Sequence, residues 1–126
     1  MKKLATLALL LLMTVAVQAA DLPDTPAAKA FASWLESYNT HDLEARKTFL
    51  KTNSSMTAEQ IDRYAPMDIQ MRDSEGKLEV VSIESSADYK IEVVARHVTT
   101  GAEISVSMEV AEKAPHKIGR MGLRPV

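Results

Sequence analysis

The chain has 126 residues, 46% apolar and 25% charged, with a formal charge of −2 and no cysteine. A chain of this size builds one core and not two, and without cysteine it has no disulfide staples, no cysteine nucleophile and no thiolate metal site. The mild acidity excludes binding to nucleic acid or to an anionic membrane surface through bulk positive charge.

Lys2 and Lys3 precede an apolar run from Leu4 to Val17, and the small residues Ala19 and Ala20 follow. This is the pattern of a secretory signal peptide cleaved after Ala19. Read as a membrane anchor, the run falls short of the roughly 20 apolar residues a span needs, and no stop-transfer basic cluster follows it. The expectation is a signal peptide over 1–19 and a single domain over 20–126, periplasmic or secreted, with no stable membrane insertion. Losing Lys2 and Lys3 takes the formal charge to about −4.

Thr25-Pro26 reads as a helix N-cap with proline at the first helical position, where a missing N–H costs nothing. Ala27, Phe31, Trp34, Leu35 and Tyr38 then recur at three and four, which predicts a helix to about Tyr38 with the only tryptophan on its buried stripe. Asn39-Thr40-His41-Asp42 is a turn, and Asp42 caps a second helix from Leu43 to about Lys51 that turns Leu43, Phe49 and Leu50 inward. Thr57-Ala58-Glu59-Gln60 fits a capping box, with Met56 and Ile61 as its hydrophobic staple. Pro66 biases Ala65 away from helical geometry, so the third helix is expected to end near Tyr64. Asp73-Ser74-Glu75-Gly76 has turn composition.

Beyond Gly76 the period changes to two. Lys77 to Ser85, Tyr89 to Val98 and Ala102 to Val110 alternate as half-buried antiparallel strands, the last two joined through Thr99-Thr100-Gly101. In the closing stretch HKIGRMGLRPV, Ile118, Met121 and Leu123 break the alternation by one residue, and Gly119 or Gly122 is a natural place for a bulge. Helices first and a meander afterwards is an α+β layout, with N-terminal helices on one face of a curved four-stranded antiparallel sheet.

Few residues carry a chemical signal. His97 shares a strand face with Tyr89, Ile91, Val93 and Ala95, so it points with them toward the helices, where it either lines a pocket or is satisfied by a local backbone group. Trp34, Tyr38 and Tyr64 form either an aromatic wall for an apolar ligand or plain core. Met67, Met71, Met108 and Met121 suit gap-filling or a soft binding surface, and no imidazole cluster accompanies them for a metal. His41-Asp42 is explained by capping, and Ser54-Ser55 lacks the glycines of a nucleophile elbow. There is no phosphate loop and no zinc-type His-Glu motif, and no cofactor is implied. The candidate ligand-binding set is therefore Trp34, Tyr38, Tyr64, His97 and Met108, with no catalytic and no metal-binding residue assigned.

The stretch FASWLESYNTHDLEARKTFL resembles the opening helix pair of nuclear transport factor 2-like (SnoaL-like) domains, and APHKIGRMGLRPV resembles the closing strand of a small module of that type found ahead of the catalytic domain in secreted serine hydrolases and peptidases. The resemblance implies a cone in which helices cap a bent sheet and leave a cavity that Trp34, Tyr38 and Tyr64 would line or plug. Some relatives of this class are isomerases with a tuned carboxyl base, but the inward faces of the second and third strands hold no Asp or Glu here. The chain thus reads as a complete exported module that binds a small apolar ligand in its pocket, or that uses its sheet for a homodimer or a partner hydrolase. The alternative is an isomerase or hydratase using His97 with a pocket tyrosine.

Overall fold

A computed structural model describes residues 21–126. The expected leader over 1–19 lies outside the described residues. Three helices, α1 (Pro26–Thr40), α2 (Leu43–Asn53) and α3 (Ala58–Glu75), precede four strands, β1 (Leu78–Ser86), β2 (Lys90–His97), β3 (Glu103–Val110) and β4 (Ile118–Pro125). The strands form one open antiparallel sheet in the order β1-β2-β3-β4. This is the α+β arrangement expected from the change of period. Among the described residues no helix is long and apolar enough to cross a membrane.

Each helix starts where a side chain meets the free N–H groups of its first turn. Thr25 Oγ1 accepts from the Ala28 N–H at 3.1 Å, and Asp42 Oδ2 accepts from that of Ala45 at 3.1 Å. The capping box is complete, with the Gln60 N–H donating to Thr57 Oγ1 at 3.2 Å and the Thr57 N–H to Gln60 Oε1 at 2.8 Å. Met56 packs against the small cluster of Leu50, Ile61 and Ala65, so the staple forms as well.

Helix α3 does not stop at Tyr64. It runs through Pro66 to Glu75, and the expected turn at Asp73–Gly76 is its last turn and cap. Proline removes one helical hydrogen bond and strains the preceding turn, at a cost of about 3 kcal/mol. Two packing gains offset this: Ala65 is fully buried at the seam with α2, and beyond the proline Asp68 pairs with Arg46. Pro66 itself faces solvent. The helix ends at Gly76, whose φ of 93° and ψ of −178° belong to a region that essentially only glycine occupies. A Cβ there would lie 2.2 Å from Thr99 Oγ1.

Helix α1 lies across the sheet and buries Ala27, Ala28, Phe31, Trp34, Leu35 and Tyr38 against Leu78, Val80, Ile91, Val93, Ala95, Val106 and Met108. The space between helix and sheet is therefore filled by side chains. The outer face of the sheet is polar, with Arg96 Nε at 3.2 Å from Glu79 and Arg96 Nη1 at 3.8 Å from Glu103 across three strands. The sheet has two unequal edges. On β1, register shifts after Val80 and Ile83 break the ladder, and Asn39 clamps the strand start by accepting from the Leu78 N–H at 2.8 Å and donating to its carbonyl at 2.9 Å. On β4, Glu109 faces Arg120 while Val110 faces Ile118, which makes Gly119 the extra residue of a bulge.

Candidate functional site

The three helices do not cover the sheet evenly. Helices α2 and α3 pack on each other beside α1, and between them and β4 an open cleft of about 470 Å³ remains, a size that suits a small molecule or one or two side chains. Trp34 and Leu50 form its floor, Tyr64, Met67 and Met71 of α3 one wall, and Ile118, Met121 and Leu123 of β4 the other. Tyr64, Met67 and Leu123 are exposed by 43%, 55% and 37%, so the rim is largely apolar and in contact with water, with Asp68 and Arg120 as its charged members. An apolar rim around an apolar floor is a feature that a soluble surface generally keeps for binding.

The polar group beneath the cleft is Arg46, a residue sequence patterning did not single out. It is 1% exposed. Its Nε and Nη2 donate to Asp68 Oδ2 at 3.0 and 2.8 Å, and Nη1 donates to Ser37 Oγ at 3.1 Å and to the Trp34 carbonyl at 3.5 Å. The guanidinium carbon also stands 5.4 Å from the centre of the Trp34 ring and 5.6 Å from that of Phe49, within cation–π range. Each of the three Arg46 nitrogens thus has a partner, and the group fixes the Trp34 face that the cleft presents. Ser54, at the cleft's inner end, donates to the Leu50 carbonyl at 2.6 Å and accepts from the Met56 N–H at 3.3 Å, which is turn chemistry.

Of the five residues selected from sequence, Trp34 and Tyr64 line this cleft. Tyr38, His97 and Met108 do not line it. Met108 is buried under α1. His97 is 2% exposed, with Nδ1 3.4 Å from the Gly76 carbonyl and its ring 6.3 Å from that of Tyr38. The strand period gave its face correctly, and that face is roofed by α1. His41 ends α1 in a left-handed conformation and pairs with Asp73. Among the described residues no group of three His, Asp or Glu side chains is placed to hold a metal ion.

Tyr38 is stacked on Trp34 at 5.6 Å, and its hydroxyl has no hydrogen-bond partner among the described residues. Burial, reinforced by the Asp68 carboxylate, pushes its pKa from the ordinary 10.0 up to about 12. The folded chain therefore holds this proton more tightly than the unfolded one. The Tyr38 contribution to stability is fully present below pH 10.0 and is lost as the pH climbs toward about 12, because the unfolded chain ionises first. Tyr38→Phe is expected to flatten this alkaline decline and, since the hydroxyl is unpaired, to leave neutral-pH stability equal or higher. Urea unfolding at neutral pH and between the two pKa values measures both, and an unchanged alkaline decline in the variant would contradict the assignment.

No protein-family model matches the chain, and comparison with curated proteins and with solved structures finds no match.

Proposed function

We propose that this chain is a non-catalytic binding module and that the Trp34 cleft is its recognition surface for small apolar groups. The observation that carries this reading is convergence. Exposed apolar side chains from α3 and β4, Tyr64, Met67 and Leu123, meet over a buried tryptophan whose orientation a buried, hydrogen-bonded arginine fixes. Such a surface gains by losing water, and its floor is preorganised, so little ordering cost accompanies uptake. The resemblance of the first helix pair to nuclear transport factor 2-like domains supports the same reading. With the leader removed, we place the module outside the cytoplasm.

The test uses Trp34 itself, since it is the only tryptophan in the chain. Titration with a neutral apolar dye is expected to change its emission in a saturable, single-site manner and to raise the melting temperature. A probe at a hundred times its Kd stabilises the fold by about 2.7 kcal/mol. Replacing the exposed rim residues, Tyr64→Ser with Met67→Lys, is expected to weaken uptake without unfolding the chain. An unresponsive Trp34, or a response that the rim variant leaves intact, would show that the cleft is not the site.

A further inference from the structure

Along β4 the backbone groups alternate between two sides. The Val126 N–H donates to the Glu103 carbonyl of β3 at 3.2 Å. The N–H and C=O groups in step with it, those of Arg124, Gly122 and Arg120, therefore turn toward β3, and those of Met121 and Leu123 turn away. Among the described residues, only the start of the strand is covered on that outward side. The Ser55 N–H donates to the Ile118 carbonyl at 3.0 Å, and Ser54 forms an isolated parallel bridge with Ile118. From Gly119 to Leu123 no strand among the described residues pairs with this edge. Pro125, in step with Met121 and Leu123, has no N–H to leave unmet, as an edge position permits.

This open edge borders the Trp34 cleft. Met121 and Leu123 pair with Met108 and Val106 and line the cleft wall, whereas Arg120 and Arg124 pair with Glu109 and Ser105 on the alternate positions of the strand, Arg120 also bordering the cleft. The Arg120 side chain is 84% exposed, 3.6 Å from Glu109, and Arg124 has no ion-pair partner among the described residues. In a chain of net charge −2, the stretch from Lys113 to Val126 holds Lys113, Lys117, Arg120 and Arg124 and no acidic side chain. Free backbone donors and acceptors, an apolar trough on one side and basic side chains on the other together describe the complement of one kind of segment.

We propose that β4 and the cleft bind an extended peptide whose side chains alternate between apolar and acidic, added to the sheet beside β4. Its backbone pairs with Met121 and Leu123, its apolar side chains enter the cleft between Met67 and Leu123, and its carboxylates run along Arg120 and Arg124. The proposal rests on the reading of the Trp34 cleft as a recognition surface. Charge favours this occupant over a second copy of the chain, because a second copy would lay the same basic stretch, which has no acidic side chain from Lys113 to Val126, beside this one, and in the two-fold register centred on Gly122 Arg120 would stand directly opposite Arg124.

The experiment titrates the chain with a capped peptide alternating leucine and glutamate. It is compared with the same peptide N-methylated on the amides that would face β4, with a lysine-for-glutamate peptide, and with one of equal composition arranged in blocks. Trp34 emission reports uptake, and hydrogen exchange reports the Met121 and Leu123 amides. The alternating peptide is expected to bind saturably and to slow exchange at those two amides, and N-methylation or lysine to weaken binding by about tenfold or more. The variant Arg120→Glu with Arg124→Glu, both exposed, is expected to prefer the lysine peptide. Equal affinity for the N-methylated or block peptide overturns the proposal, as does a dimer on sizing whose Met121 and Leu123 amides are protected without peptide. If the neutral dye binds and no peptide does, strand addition fails while the cleft reading stands; if neither binds, both fail.

Discussion

Replacing Trp34 by alanine is expected to remove about 3–5 kcal/mol of stability. The side chain is 1% exposed and sits at the centre of an aromatic row, 6.0 Å from Phe31 and 5.6 Å from Tyr38. Its loss opens a hole between α1 and the sheet, where the flat strand residues Val93, Ala95 and Val106 cannot move in to close it. It also strips one aromatic face from the Arg46 guanidinium, leaving a buried cation with poorer solvation. A domain of this size has only about 5–15 kcal/mol in total, so the variant is expected to unfold at far lower urea than the parent chain. Trp34→Phe keeps a ring in the row and is expected to cost clearly less. A loss under about 1 kcal/mol in the alanine variant would place Trp34 outside the principal core, since that is the range of ordinary surface substitutions.

The second large effect is an asymmetry within the Arg46–Asp68 pair. The Arg46 side chain is 2% exposed and that of Asp68 21%. Asp68→Ala leaves a guanidinium buried without a counter-charge and is expected to cost about 3–5 kcal/mol. Arg46→Met keeps the aliphatic stem against Phe49 and Trp34, and the remaining carboxylate, already partly wet, can turn to solvent. It is expected to cost less than Asp68→Ala. The double variant Arg46→Met with Asp68→Leu fills the same volume with apolar groups and is expected to recover most of the loss, because buried ion pairs seldom outperform a well-packed apolar replacement. A double-mutant cycle in urea measures the coupling directly. If Asp68→Ala proved as mild as the removal of an exposed pair such as Lys29–Asp24, Arg46 would have to be solvated in a way its burial does not show.

The early end given to α3 and the overlooked Arg46 have one origin. The helix starts were legible because caps are local: Thr25, Asp42 and Thr57 each act within three residues. The strands were legible because alternation is local too, and the skipped beat between Ile118 and Met121 pointed to a bulge at Gly119 or Gly122, of which the structure has the first. Ending α3 before Pro66, by contrast, removes Asp68 and Met71 from the helix face. Without Asp68 nothing suggests that an arginine belongs inside. The spacing did carry the signal, since Leu43, Arg46 and Leu50 fall three and four apart on one stripe of α2, but residue type argued against burial until its partner was placed. The candidate site divides along similar lines. Alternation told that Met108 and His97 face the helices; it could not tell that side chains fill the space beneath α1, so that the open space lies off to the side against β4.

The unequal ends of the sheet limit how the molecule can assemble. Endless stacking by edge pairing needs two compatible rims, one to give and one to receive, and here the β1 rim is stepped by two register shifts and fastened at Leu78 by the Asn39 amide. Growth through β4 therefore halts after a single addition. The chain can carry an unprotected seam without seeding filaments, and complexes formed through it should have a fixed, one-to-one stoichiometry.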